Sequence, residues 1–181
     1  MAVATVRRAV DADVDALVRI QSDTWRAAYA ELVPAAAIAQ LTGPAARAAW
    51  RSAIGAGGGY HVFVASEGEW TVGFCAAAHW AGENGGGAAG AAIAEVSTLL
   101  VEPRWGRRGH GGRLLAAAVE ALRGHGARIG QTWVPEADAA SRAFYGHVGW
   151  KADGALRGLD TGSGTLREVR LSGPLDLRLR D

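Results

Sequence analysis

One stretch of the sequence decides the fold: residues 101–115 read VEPRWGRRGHGGRLL. An apolar run ends at Val101, a turn rich in glycine and arginine follows, and Leu114 and Leu115 begin the apolar face of a helix. Glycines let backbone amides approach a ligand, and the first turn of a helix offers unpaired N–H donors at the positive end of its dipole. The stretch therefore predicts a strand, a phosphate-binding turn and a helix, in that order.

The predicted contacts to a pyrophosphate lie in the turn and in the first residues of the helix. They are Arg107, Arg108, Gly109, His110, Gly111, Gly112 and Arg113. A glycine-rich loop with incidental arginines is the alternative interpretation. Two other nucleotide sites are disfavoured. The turn does not continue as Gly-x-Gly-x-x-Gly, and no lysine follows a glycine cluster as a P-loop requires, because Lys151 is the only lysine.

Hydrophobic periodicity on both sides of this stretch predicts an α/β (α+β) fold. Predicted strands cover residues 5–10, 60–65, 70–78, 92–101, 127–134, 152–156 and 166–171, and predicted helices cover 14–29, 34–41, 45–54, 111–123 and 139–147. Residues 82–87 predict a solvent loop. We expect a single domain over residues 1–181, with a central, mixed and mostly antiparallel sheet flanked by helices.

Composition and charge disfavour several classes of partner. The 181 residues are 49% hydrophobic, and 19 basic against 18 acidic residues leave a net charge of +1. This balance gives no electrostatic reason to expect nucleic acid or an anionic membrane as a partner. No transmembrane helix or signal peptide is predicted, so we expect a cytoplasmic protein. Cys75 is the only cysteine, and the histidines show no metal-ligand spacing, so we expect no disulfide and no metal site.

Two segments together resemble a known family. The first stretch is similar to the motif Val-x-Pro-x-x-Gln/Arg-Gly-x-Gly-x-Gly/Ala of the GNAT superfamily of acyl-CoA-dependent N-acyltransferases, and it ends in the same Leu-Leu helix. Residues 134–150, which read VPEADAASRAFYGHVGW, resemble the family's Asn-x-x-Ala-x-x-Phe-Tyr helix. Four positions depart from these patterns: Gly106 replaces Gln or Arg, Arg107 replaces Gly, Asp138 replaces Asn and Ser141 replaces Ala.

The resemblance implies an N-acetyltransferase fold with acetyl-CoA as co-substrate. It implies that the backbone groups of Leu99, Leu100 and Val101 pair with the pantetheine arm in the manner of an added strand. It also implies that Asp138 and Phe144 contact the cofactor.

Glu95 and Tyr145 are the candidate base and acid. Acyl transfer to an amine needs a neutral amine and a proton for the departing thiolate. Tyr145 occupies the position that the family often uses to protonate the sulfur, and Glu95 lies on a strand where many relatives place a glutamate. The alternatives are an aromatic packing residue for Tyr145 and a solvent-exposed strand-edge carboxylate for Glu95.

The first helix carries the predicted acceptor site. Trp25 and Tyr29 are four residues apart, so they share a helix face. They resemble the Trp-x-x-x-Tyr helix that lines the acceptor side of the cleft in one subgroup of the superfamily. The alternative is that both rings pack the helix onto the sheet.

We expect the acceptor to be an amine of a small molecule or a protein amino group. A non-catalytic acyl-CoA-binding or sensing domain on the same fold is the alternative function. The oligomeric state stays open, with a homodimer as the commonest closed assembly.

Overall fold

The computed structural model describes residues 4–40, 42–80, 93–162 and 164–177, with only the backbone of Trp80. Within these ranges seven strands form one mixed sheet in the order β1-β2-β3-β4-β5-β7-β6. The strands are β1 (Ala4–Arg8), β2 (Tyr60–Glu67), β3 (Trp70–Trp80), β4 (Ile93–Val101), β5 (Ile129–Pro135), β6 (Lys151–Asp160) and β7 (Thr165–Pro174). The helices are α1 (Val14–Tyr29), α2 (Ala35–Gln40), α3 (Pro44–Gly55), α4 (His110–Gly124) and α5 (Ala139–His147). The predicted order of elements and the mixed, mostly antiparallel sheet are confirmed.

The sheet opens between β4 and β5. All other neighbouring strands are antiparallel, whereas β4 and β5 are parallel and pair only along residues 93–95 and 129–131. Beyond this short ladder the two strands continue without pairing to each other. The hydroxyl of Thr132 donates to the carbonyl of Val96 at 2.8 Å where the separation begins. A gap therefore lies between the carboxyl-terminal halves of the two strands.

A bulge in β4 precedes this gap. Val96 and Thr98 pair with consecutive residues of β3, so Ser97 is an extra residue with no partner in that ladder. Such a residue breaks the alternation of side chains along a strand. Val96 and Leu99 accordingly both pack in the core cluster that contains the buried face of α4, although they are three residues apart.

Apolar side chains on both faces of the sheet hold the helices in place. On one face, the apolar residues of α4 that are fully or nearly buried are Leu114, Leu115, Ala118, Val119 and Leu122. On the other face, Leu17 and Ile20 of α1 pack against Val64 and Phe74. The spacing of three and four residues is that of an amphipathic helix, as the sequence predicted. None of the described helices is long and apolar enough to cross a membrane.

Three histidines that are distant in the sequence contact one another beyond the end of α4. The ring of His125 lies 5.1 Å from that of His61 and 4.8 Å from that of His79, between ring centroids. His61 is 3% exposed, and neither of its ring nitrogens has a hydrogen-bond partner among the described residues. Burial, with the neighbouring Arg8, His125 and His79, lowers the pKa of His61 to about 4. The ring is therefore neutral at neutral pH.

Several boundaries differ from those predicted. The last two strands were predicted at 152–156 and 166–171, but β6 and β7 are longer. Nearly every residue of β6 is exposed, so this edge strand has no apolar alternation to reveal its length. The first strand ends at Arg8 because the amide of Val10 donates to the carboxylate of Asp13 at 2.8 Å and begins a 3₁₀ turn. The predicted loop at 82–87 lies outside the described residues.

Candidate functional site

The turn before α4 exposes the amino-terminal end of the helix. Gly109 caps α4 with φ of 80°, a left-handed conformation that glycine adopts without steric penalty. No described side chain caps the helix, so the first-turn amides of His110, Gly111 and Gly112 keep their outward-facing donors. The guanidinium of Arg113 donates to the carbonyl of Arg108 at 3.0 Å and adds positive charge beside these donors. The turn can therefore bind an anion.

Arg107 holds an unusual backbone conformation in this turn. Its φ is 62°, the left-handed region, and it is the only described non-glycine residue with a positive φ. The preceding Gly106 adopts φ of −61° and ψ of 158°, which any residue can adopt. The chain therefore has arginine at the position that favours glycine, at an expected cost of about 1–2 kcal/mol.

Side chains on both sides of Gly109 fix the turn to the end of β2. His110 is 2% exposed, and its Nε2 lies 2.8 Å from one carboxylate oxygen of Glu67. Arg108 donates to the other oxygen at 3.0 Å and stacks over the ring of Trp105 at 4.9 Å. Desolvation opposes ionisation of Glu67, but the contacts with His110 and Arg108 outweigh it and lower the pKa of that carboxyl. The side chain of His110 points into the protein, so its backbone amide is the group left for a ligand.

The backbone of Leu99, Leu100 and Val101 forms an open edge. These residues pair with β3 on one side, and the ladder with β5 ends before them. A Cβ atom at Gly111 would lie 3.4 Å from the Phe144 ring and 3.7 Å from Leu99. These are ordinary van der Waals distances, so Gly111 marks the place where α4 lies against both α5 and the open edge of β4.

A cleft of about 200 Å³ occupies the gap between β4 and β5. Its lining includes Trp25 and Tyr29 from α1, residues 97–100 of β4, residues 132–135 of β5, Tyr145 from α5, and Arg157 and Glu168 from the last hairpin. The cleft therefore joins the open edge of β4 to the helix in which the sequence predicted the acceptor site.

Tyr145 lines this cleft from a buried position. It is 4% exposed, and its ring stacks on Trp150 with centroids 5.3 Å apart. Burial raises the pKa of Tyr145, so the phenol keeps its proton at neutral pH. The ring therefore packs in the core and at the same time lines the cleft, with its phenol protonated.

Glu95 lies at the point where β4 and β5 stop pairing. It pairs with Gln131 in the last parallel pair of the two strands, and its carboxylate accepts a hydrogen bond from the side-chain amide of Gln131 at 3.2 Å. It is half-buried on an interior strand, not on a sheet edge. Its neighbours Ala94 and Val96 are buried beneath α4, so alternation directs Glu95 toward the α1 face of the sheet. It stands next to the cleft and is not among the residues that line it.

Trp25 and Tyr29 contact each other, as their spacing predicted, with ring centroids 5.1 Å apart and an angle of 76°. The hydroxyl of the buried Tyr29 donates to Asp138 at 2.5 Å. Burial, and then this carboxylate, raise the pKa of Tyr29. Asp138 also accepts bonds from the amide and hydroxyl of Ser141 and so caps α5. Its carboxylate is thus engaged by protein donors.

The sequence did not point to three residues of the cleft: Trp133, Arg157 and Glu168. Arg157 donates through Nε to Glu168 at 2.5 Å and stacks over Trp133 at 4.5 Å. Alternation along β5 could have indicated that Trp133 faces away from the buried Val134. The Arg157–Glu168 pair could not be found in this way, because it depends on the register of β6 and β7. No group of three or more His, Cys, Asp or Glu side chains among the described residues is arranged to hold a metal ion.

A family model of the acetyltransferase (GNAT) domain matches residues 58–152, more than half of the chain. The chain belongs to the GNAT acetyltransferase family. The predicted family, fold class and type of enzyme are thereby confirmed, and acetyl-CoA is the acetyl donor. Membership favours an enzyme over a sensing domain. No curated protein sequence matches this acetyltransferase.

Solved structures of other acetyltransferases share its fold. The PaiA N-acetyltransferase of Thermoplasma acidophilum, in complex with coenzyme A, has a TM-score of 0.76 at 15% identity, over 95% of this chain and 99% of that one. The yncA protein of Salmonella typhimurium, with its cofactor acetyl-CoA, has a TM-score of 0.67 at 22% identity, over 96% and 94%. The ribosomal-protein-alanine N-acetyltransferase of Brucella melitensis has a TM-score of 0.72 at 20% identity, over 94% and 99%.

The residues of this acetyltransferase fit coenzyme A at two places. The uncapped amides after Gly109 suit a pyrophosphate. The unpaired edge at Leu99–Val101 suits an extended arm with amide groups.

Proposed function

We propose that this chain transfers the acetyl group of acetyl-CoA to a primary amine of a small molecule or a protein, by direct attack of the neutral amine. The observation that carries this proposal is the cleft between β4 and β5, because it connects the open edge of β4 with a protonated tyrosine. The brucella relative is named for an alanine amino group of a ribosomal protein, which is one example of such an acceptor.

The turn and the open edge would bind the donor. The amides of residues 109–112 would hold the pyrophosphate, with Arg107, Arg108 and Arg113 supplying positive charge. The backbone of residues 99–101 would pair with the pantetheine arm. Phe144, which lies beside Gly111, would pack against this arm. Asp138 would act indirectly, because its carboxylate already caps α5 and holds Tyr29.

Glu95 and Tyr145 would move the two protons of the reaction. When bound, acetyl-CoA supplies the thioester whose C–S bond breaks as the amide bond forms. Glu95 would accept the proton of the acceptor ammonium, directly or through water, as a general base. Tyr145 would donate its phenolic proton to the departing sulfur and regain, through solvent, the second proton that the attacking nitrogen loses as the amide forms. The raised pKa of Tyr145 keeps this proton in place until the sulfur takes it.

A turnover screen tests the proposal. Release of free CoA thiol from acetyl-CoA would be followed with polyamines, aminoglycosides, amino acids and their derivatives, and N-terminal peptides, with Tyr145→Phe as the matched control. We expect turnover with at least one amine class and its loss in the control. Binding of acetyl-CoA without turnover of any amine would overturn the proposal.

A further inference from the structure

The cleft that would hold the acceptor contains one positive and one negative side chain among its described lining residues. The positive group is Arg157 and the negative group is Glu168. Glu168 is buried, whereas the side chain of Arg157 is 41% exposed. The cleft therefore presents a guanidinium to whatever enters it.

Arg157 is fixed in position but has donors to spare. Its Nε donates to Glu168 at 2.5 Å, and its guanidinium lies 4.5 Å from the centroid of the Trp133 ring. Its two terminal amino groups make no hydrogen bond to a described residue, because the only hydrogen bond of this side chain within the described residues is the one from Nε to Glu168. A planar guanidinium with two free parallel N–H groups matches a carboxylate.

A second arginine of the hairpin, Arg170, does not share the access of Arg157 to the cleft. Arg170 also lies against Trp133, at 5.6 Å, but donates to Asp153 at 2.7 Å and does not line the cleft. The two arginines share the ring and the hairpin and differ in access to the acceptor. Arg170 is therefore a matched control.

The position of Arg157 relative to Glu95 indicates the size of the acceptor. Glu95 accepts a hydrogen bond from the side chain of Gln131 on β5. Trp133, the residue on which the Arg157 guanidinium stacks, lies two residues further along the same strand. Two residues of a strand span about 6.6 Å. With one hydrogen bond at each end, this span leaves room for an amine and a carboxylate separated by a few bonds.

We infer that Arg157 binds a carboxylate of the acceptor, and that the acceptors are amino acids or similar small molecules with a carboxylate near the amine. The inference rests on the proposed acetylation of a primary amine. It excludes protein N-termini as the main acceptors, because an amide replaces the carboxylate next to a protein's terminal amine. Trp133 and Glu168 hold the guanidinium in place, so they act as positioning residues.

Matched acceptors test the inference. Free amino acids would be compared with their α-carboxamides and with the decarboxylated amines, at equal concentrations of neutral amine, by release of CoA thiol. We expect the wild type to favour the amino acids. Arg157→Gln should raise their KM about tenfold to a hundredfold, the effect of losing a charge-assisted bidentate contact. The KM values for the carboxamides and for acetyl-CoA should stay within about twofold, and Arg170→Gln should change none of them.

A double variant separates binding from folding. Arg157→Gln alone leaves Glu168 buried and unpaired, which can destabilise the hairpin. Arg157→Gln with Glu168→Gln removes both charges, and we expect the same selective loss with a melting temperature close to that of the wild type. Equal use of amino acids and carboxamides by the wild type would overturn the inference and leave the proposed function intact. An equal loss for every acceptor in the double variant would also overturn it. Absence of turnover for all amines, with acetyl-CoA still raising the melting temperature, would overturn both.

Discussion

Replacing His61 by phenylalanine is expected to remove most of the acid sensitivity of folding between pH 6.5 and pH 4. The pKa of His61 falls from its ordinary value of 6.5 to about 4 in the folded protein. Between these values the unfolded chain binds a proton that the folded chain does not. The free energy of unfolding therefore decreases as the pH is lowered from 6.5 to 4.

The expected magnitude follows from the size of the shift. One pKa unit corresponds to 1.36 kcal/mol, so a shift of about 2.5 units amounts to about 3 kcal/mol over the whole window. The groups that face His61 are Arg8, His79 and His125, and all three disfavour its protonation. Carboxylates with lowered pKa values, such as Asp13 and Asp153, lose their contribution only at lower pH. The histidine effect can therefore be resolved from theirs.

Urea unfolding at a series of pH values measures the effect. The wild type should lose about 3 kcal/mol more than His61→Phe between pH 7 and pH 4, at unchanged m-value. At pH 7 the variant should be about as stable as the wild type, because the ring nitrogens of His61 have no hydrogen bond to lose within the described part of the chain. His61→Leu guards against overpacking by the larger ring, and replacement of the exposed His147 by glutamine is the control. Parallel pH profiles for wild type and both His61 variants would refute the reasoning.

Four further predictions concern the cleft and the turn. Gly111→Glu should abolish the thermal shift with acetyl-CoA, because its side chain would place bulk and negative charge beside the Phe144 ring, where they would obstruct and repel the pyrophosphate; a retained shift at millimolar ligand would contradict this. Tyr145→Phe should lower kcat by about 10²–10⁴-fold with little change in acetyl-CoA affinity, and an unchanged kcat would leave solvent as the proton source. Glu95→Gln should slow the reaction most near neutral pH and least at high pH, where the amine is already neutral. A pH-independent loss would mean that Glu95 only positions the acceptor. Tyr29→Phe should raise the KM of the acceptor and spare that of acetyl-CoA; an equal rise in both, with a lower melting temperature, would assign the ring to the core.

The sequence predicted the elements whose residues obey a short period. The buried face of α4 repeats every three or four residues, and the Trp25–Tyr29 contact needs only the geometry of one helix. The Arg157–Glu168 pair was not predictable in this way, because its partners meet through strand register across a hairpin with an exposed outer strand. The contacts of His125 with His61 and His79 also depend on three separate elements. Local sequence patterns carry no information about such long-range contacts.

The extra residue Ser97 has a consequence for insertions and deletions in this strand. Residues before it present alternate side chains in one phase, and residues after it in the opposite phase. Deleting this single residue would leave the pairing of 93–95 with β5 unchanged and would restore plain alternation, so Leu99 would stay in the α4 core and Thr98 would keep facing the cleft. The strand would lose only the local bend and extra twist that a bulge provides. Because the bulge lies where β4 and β5 stop pairing, its loss is expected to bring the two strands closer together and to narrow the gap. A lineage can therefore change the width of this gap by gaining or losing one residue, without rewriting the rest of β4.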